Sequence, residues 1–246
     1  MYWLVKKLIK GASQRSKRKI LNFVLSTEIE SHVFHKLRRH GFVPATIIDV
    51  GAYQGEWTRN IKSIFPESKV HMIDALAKED YLRKVQENLP GVSYGIHLLG
   101  SETGLEKTFF ECETGSSYYE ENTNVQKTQT TRKTKTLDEV IAETGFALSP
   151  SSLLKIDAQG AELDILKGAK QVLSDVDFVY LEMPIIQYNR NAPDFEAYIH
   201  HMASLGYGVF DVSTCQIRQD FLLQVDLLFA RQTSPIIQKR EQLLGI

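Results

Sequence analysis

Two cysteines among 246 residues, Cys112 and Cys215, leave no room for a disulfide framework and suit a reducing compartment, so a cytoplasmic location is expected. Neither stands at a cysteine–histidine spacing that would suggest zinc, and no metal-ligand set is assigned. No uninterrupted apolar run approaches the ~20 residues that cross a bilayer. Internal repeats and low-complexity segments are also absent, which excludes solenoids and tethering linkers. The chain lacks a net excess of either charge (formal net charge −1), and no nucleic-acid partner is expected. With 43% hydrophobic and 24% charged residues, the composition is that of a soluble globular protein.

Acids are missing from one place, the first twenty residues. Lys6, Lys7, Lys10, Arg15, Lys17, Arg18 and Lys19 occur there beside Tyr2, Trp3, Leu4, Val5, Leu8 and Ile9. Residues 1–26 therefore read as a basic amphipathic segment. It is either a helix packed on the domain with its lysines in solvent, or a peripheral contact to anionic lipid through residues 1–24. It does not read as a secretory signal, because the basic residues follow the apolar ones. Residues 27–232 read as the folded domain and 233–246 as a C-terminal tail. Oligomeric state is not legible.

The domain is organised around Thr46–Thr58. Ile47-Ile48 runs into Asp49, then Gly51 and Gly55, then a helical stripe with Trp57 and Ile61. This is a buried strand, a tight glycine turn and a helix start, whose unpaired amides favour a negative group. The pattern differs from G-x-G-x-x-G: the third glycine is missing and an acid precedes the first. That acid disfavours a pyrophosphate and suits a cationic ligand such as the sulfonium of S-adenosylmethionine. Asp49, Gly51, Ala52, Tyr53 and Gly55 are the cofactor-binding candidates from this turn. A second strand, Lys69–Asp74, ends in an acid one strand–helix–strand unit later, where a carboxylate meets ribose hydroxyls. Asp74 and the following Ala75 join the cofactor set; the alternative for Asp74 is capping the helix over residues 77–89.

Further along, a capping box, Thr27-x-x-Glu30, opens a helix with Ile29, Val33 and Leu37 on one face and Gly41 after it. Val92 to Leu99 reads as a third strand and Leu105 to Glu111 as its returning hairpin partner. Residues 114–131 lack helical period and read as a mobile, tyrosine-bearing loop over the substrate. Ser152–Asp157 and Phe178–Pro184 are buried strands carrying Asp157 and Glu182. Tyr207–Val212 and Val225–Arg231 are the last two, with Gln216–Phe221 between them. The alternation predicts an α/β, Rossmann-like, doubly wound, mostly parallel seven-stranded sheet with an antiparallel last strand.

Three segments together resemble a known family. Ile48-Asp49-Val50-Gly51-Ala52-x-x-Gly55 resembles the first motif of class I methyltransferases. Leu154-Lys155-Ile156-Asp157-Ala158-Gln159-Gly160-Ala161-Glu162-x-x-x-Leu166-Lys167-Gly168-Ala169 resembles the signature of FkbM methyltransferases, and Thr136-Leu137-Asp138 and Val225–Phe229 also match. The resemblance implies a class I fold, S-adenosylmethionine as cofactor, and O-methylation of a hydroxyl on a sugar or glycosylated natural product. The family's Glu-Pro after the second strand is Asp74-Ala75 here. By the implied strand order Asp157 and Glu182 are neighbours and the catalytic candidates, with His97, near a strand end, as a further candidate base; Asp157 also counts among the cofactor-binding candidates. Magnesium on this acid pair is admitted by its chemistry but not favoured, because Met183-Pro184 rather than a further acid follows Glu182. The alternatives are a non-catalytic nucleoside-binding scaffold and, disfavoured by the missing glycine, an NAD-dependent oxidoreductase.

Overall fold

The computed structural model describes residues 30–76, 79–149 and 151–244. The basic segment, Thr27 of the capping box, Ile29 and the first two residues of the helix expected over 77–89 lie outside them.

Helix α1 covers residues 30–39. The central sheet is built from β1 (Thr46–Val50), β2 (Lys69–Asp74), β3 (Val92–Ile96), β6 (Ser152–Ile156), β7 (Val176–Pro184), β8 (Tyr207–Arg218) and β9 (Phe221–Arg231), in the order β3-β2-β1-β6-β7-β9-β8. Every pairing from β3 to β7 is parallel, and β9 runs antiparallel to both its neighbours. A separate two-stranded ribbon pairs β4 (Glu106–Glu111) with β5 (Thr128–Lys133). Helices α2 (Glu56–Ile64), α3 (Glu79–Asn88), α4 (Leu137–Thr144), α5 (Glu162–Lys167), α6 (Phe195–Ser204) and α7 (Pro235–Leu244) complete the fold. No helix among the described residues is long and apolar enough to cross a membrane.

Why the sheet is buried follows from its strands. β1 and β6 are buried at every position. Successive side chains leave a strand on opposite faces, so continuous apolar runs need cover on both. Ile48, Val50, Leu154, Ile156, Val179 and Leu181 join one core with residues of α4, α5 and α6. Ile47, Val70, Met72, Leu153, Phe178 and Leu228 join the other with residues of α1, α2 and α3. Residues assigned to the tail contribute as well, since α7 places Ile237 in that second core.

The chain winds outward from β1 to β3 in one direction and from β6 to β7 in the other. The change of direction lies between β1 and β6, where ligands of open α/β sheets bind beyond the carboxyl ends of the strands.

Three sequence expectations are corrected. The Leu105–Glu111 strand does not return along the third strand; β4 pairs with β5, and β3 ends at Ile96 against β2. The polar run to Thr131 is not irregular throughout, because β5 occupies Thr128–Lys133. That strand carries its β-propensity in threonines and lies on the surface, so it has no apolar alternation to read. The last two strands outrun Tyr207–Val212 and Val225–Arg231 and take in the stretch between them, Gln216–Phe221. β8 and β9 extend through it to a two-residue turn, Gln219-Asp220, with both residues at positive φ (51° and 67°).

Candidate active site

A cavity of about 1290 Å³ opens at the carboxyl edge of the sheet, across the ends of β2, β1, β6, β7 and β9. Single small-molecule pockets commonly span about 300–1,000 Å³, so this one has room for a cofactor and an acceptor together.

The turn after β1 forms its floor. Gly51 sits at φ 73°, and a Cβ there would lie 1.7 Å from the carbonyl oxygen of Asp157. Only glycine lets the β1 and β6 ends come this close. Its N–H donates to the Ile73 carbonyl at 2.9 Å, tying the turn to β2. Asp74, at the end of β2, accepts the Tyr53 N–H at 2.6 Å on one oxygen and the Leu76 N–H at 2.7 Å on the other. Burial raises its carboxyl above the usual range, and the two backbone bonds only partly offset that. Two bonds leave carboxylate lone pairs free for a ligand's hydroxyls.

Asp49 lies beneath this floor and is fully buried, accepting from the Thr58 hydroxyl at 2.6 Å. The Lys155 ammonium is 3.2 Å from its other oxygen and 3.6 Å from Asp157. Lys155 also donates to the carbonyls of Val50 (3.1 Å) and Gly51 (2.9 Å). Burial works against the charge on Lys155, but the Asp49 and Asp157 carboxylates outweigh it and hold the ammonium above its usual range. Asp49 thus reaches the cavity only through Lys155, which shapes the turn.

On the other side of β1 stand the acids. Asp157 follows β6, with its side chain 32% exposed into the cavity. Glu182 lies on β7, and Asp226 is its register partner on β9. The side-chain amide of Gln159 donates to Asp157 Oδ1 at 2.9 Å and Glu182 Oε1 at 2.7 Å. Burial first, then the charges of Asp157 and Asp226, push Glu182 well above the ordinary carboxyl range. Asp226 is raised to about 6 by burial, eased by its bond from Thr214. One Asp226 oxygen accepts from Thr214 and from Tyr180 (3.2 Å); the other is buried with no hydrogen-bond partner among the described residues. Glu30, on α1, closes the group, raised to about 7 by burial and by Asp226.

Glu162 anchors the turn after β6. It accepts the Ala158 N–H (2.8 Å), the Gly160 N–H (3.2 Å) and the Tyr198 hydroxyl (2.5 Å). His97 also faces the cavity, but it follows β3, three strand spacings from β6 or roughly 14 Å. Burial, then Lys135, lowers its pKa. The segment after β4 covers the cavity and is tied down. Tyr119 donates to Asp164 at 2.9 Å, Asn189 donates to the Tyr119 carbonyl at 2.8 Å, and Arg190 N–H donates to Glu120 O at 2.7 Å. Among the described residues no group of three or more His, Cys, Asp or Glu is arranged to hold a metal ion.

Sequence reading passed over Glu30, Lys155, Gln159 and Asp226 as site residues. Glu30 is legible only as a helix cap and Asp226 only as part of a late strand. Their convergence comes from α1 and β9 crossing the same sheet edge.

The residues fit S-adenosylmethionine. Asp74 offers free lone pairs at the end of β2, Gly51 keeps the turn open, and the excess of carboxylates suits a cation. This strand order, with β9 threaded antiparallel between β7 and β8, is the architecture of class I methyltransferases that use S-adenosylmethionine. The family model for the methyltransferase FkbM domain matches residues 49–209, well over half of the chain, and the chain belongs to that family. No curated protein sequence matches it. Among solved structures it is similar to methyltransferase FkbM from Methylobacillus flagellatus KT, with 16% identity, 91% of this chain and 57% of that one covered, and a TM-score of 0.48. It is also similar to magnesium protoporphyrin IX methyltransferase from Synechocystis PCC 6803 with bound S-adenosylmethionine. There the identity is 8%, the coverage 94% and 91%, and the TM-score 0.50. The chain therefore spans little more than half of the first protein and most of the second.

Proposed function

We propose that the chain catalyses transfer of a methyl group from S-adenosylmethionine to a hydroxyl of a sugar or glycosylated natural product. The bound cofactor supplies an electrophilic methyl on a sulfonium. Asp74 holds the ribose hydroxyls, and Gly51, Ala52 and Tyr53 with Ala75 frame the nucleoside. The observation that carries the reading is the line of acids on the acceptor side, Asp157, Glu182 and Asp226, in a cavity with room for a second ligand. An unpartnered, buried Asp226 oxygen costs stability until a donor reaches it, and a hydroxylated acceptor supplies such donors. Asp157, the more exposed of the pair with Glu182, takes the hydroxyl proton as the methyl transfers. Glu182, whose carboxyl burial keeps above the ordinary range, orients a second oxygen of the acceptor. A positioned base of this kind contributes about a hundred- to ten-thousand-fold. His97, at the far end of the cavity, belongs with the nucleoside in this scheme, and magnesium is not required. Free thiols at Cys112 and Cys215 are in keeping with a cytoplasmic enzyme.

The test is transfer of radiolabelled methyl from S-adenosylmethionine into fractionated extract of the source cell, with mass spectrometry of the product. Label should appear on a glycan or sugar hydroxyl, survive chelation, and fall at least about a hundredfold in Asp157→Asn. Label on nitrogen or carbon, or near wild-type turnover in Asp157→Asn, contradicts the proposal. Activity lost on chelation and restored by magnesium would replace the free base with a metal-bound acceptor.

A further inference from the structure

Gln159 occupies a conformation that its residue type rarely adopts. Its φ is 52°, in the left-handed region where non-glycine side chains are strained. Such strain persists where the surroundings enforce it, often at functional sites. Here the enforcement is visible on both sides. Glu162 accepts the N–H groups of Ala158 and Gly160, the residues flanking Gln159, so the backbone turn is clamped from below. Above it, one side-chain nitrogen reaches two carboxyl groups from different strands, Asp157 at 2.9 Å and Glu182 at 2.7 Å. A primary amide has two N–H donors on that nitrogen, one for each acid. Without such a bridge, two carboxyl groups at neighbouring strand ends repel and turn apart.

We propose that Gln159 is a positioning residue for methyl transfer: its amide locks the Asp157 and Glu182 carboxyl groups together, so that Asp157 presents its exposed edge to the acceptor in a single rotamer. The inference rests on the acid–base reading above but concerns a residue outside the reacting pair. The left-handed turn is what aims the side chain back over the strand ends, and the strain at Gln159 is the cost of that aim. Among the described residues, the charged and titratable groups facing the pair are Lys155 on β6, Asp226 on β9, Glu30 on α1, Glu162 on α5 and Tyr188 beyond β7, with Asp49 on β1 behind Lys155. Among the described residues, Gln159 donates to both acids.

Gln159→Gly separates positioning from structure, because glycine accepts this φ without strain and the variant should fold at least as stably. Two properties are read by carbon-13 NMR of carboxyl-labelled protein without acceptor: the titration midpoint of Glu182, assigned with Glu182→Gln, and the three-bond couplings of the Asp157 side chain. In Gln159→Gly the Glu182 midpoint should rise by about 1 pH unit, since a donor to its ionised form is gone, and the Asp157 couplings should average over rotamers. Gln159→Glu, which keeps the length but replaces the donor by a third acid, should raise the midpoint further. Unchanged midpoint and couplings in folded Gln159→Gly would overturn the proposal. If both change while Asp157→Asn still turns over, the bridge stands and the acid–base reading falls.

Discussion

At the scale of single residues, the site is a matter of which carboxylates are compensated. Asp49 is neutralised by Lys155 and Thr58 and does structural work under the turn. Asp74 receives two backbone N–H groups and still has free lone pairs in the cavity. If those meet the ribose, Asp74→Ala should weaken S-adenosylmethionine binding by about 10- to 100-fold, the equivalent of a charge-assisted hydrogen bond of about 1.5–3 kcal/mol. Titration calorimetry checks this, with circular dichroism confirming the fold. Unchanged affinity in a folded variant would leave Asp74 as a clamp on the Tyr53 and Leu76 amides alone.

At the scale of elements, the β8–β9 hairpin shows how far backbone geometry escapes a pattern of side chains. Its turn needs two left-handed residues, and the chain supplies Gln219 and Asp220 rather than the Asn-Gly pair that suits such a turn. Left-handed backbone costs L-residues roughly 1–2 kcal/mol each, and asparagine and glycine relieve much of it. The double substitution Gln219→Asn with Asp220→Gly should therefore raise stability by about 1 kcal/mol, read as a higher urea midpoint at unchanged slope. A fall in the midpoint would mean that those two side chains hold the hairpin tip through contacts of their own. Without an Asn-Gly signal, nothing in Gln216–Phe221 marks a hairpin tip in the sequence. β5 escapes for another reason: a surface ribbon of threonines and charges has no buried face to impose alternation.

For the whole molecule, gathering acids at one sheet edge links stability to pH. Glu30 is raised from 4.5 to about 7, so between those values the folded chain binds more protons than the unfolded one. Stability from this group is fully present below about pH 4.5 and is lost as pH rises through about 7. Asp226, raised to about 6, acts in the same direction. His71 acts in the opposite one: buried and lowered from 6.5 to about 4, it destabilises the fold as pH falls through that interval. Glu30→Gln imitates the protonated carboxyl. It should exceed the wild type by about 3 kcal/mol at pH 8 and converge with it near pH 4, measured by urea unfolding without cofactor. A difference that does not vary with pH would show that Glu30 is not ionising in a buried acid group.

The sequence by itself determined the fold class, the family and the glycine turn after β1, because each rests on local information. Continuous apolar runs demand a sheet covered on both faces, the acid–glycine pattern of Asp49 to Gly55 demands a tight turn, and the Lys155–Glu162 segment carries the family resemblance within eight consecutive positions. It also put Asp157 and Glu182 side by side once the strand order was supplied by that resemblance. The tertiary structure decided the rest, since it depends on distance between segments far apart in the chain. Asp226 comes to the pair only because β9 inserts antiparallel beside β7, and Glu30 only because α1 crosses the same edge. Asp49 is drawn down to Lys155 instead of facing a ligand, and His97 is carried three strands away. Gln159 shows the division most plainly: the motif contains it, but the left-handed turn that bends its amide onto two acids exists only when Glu162 has folded underneath.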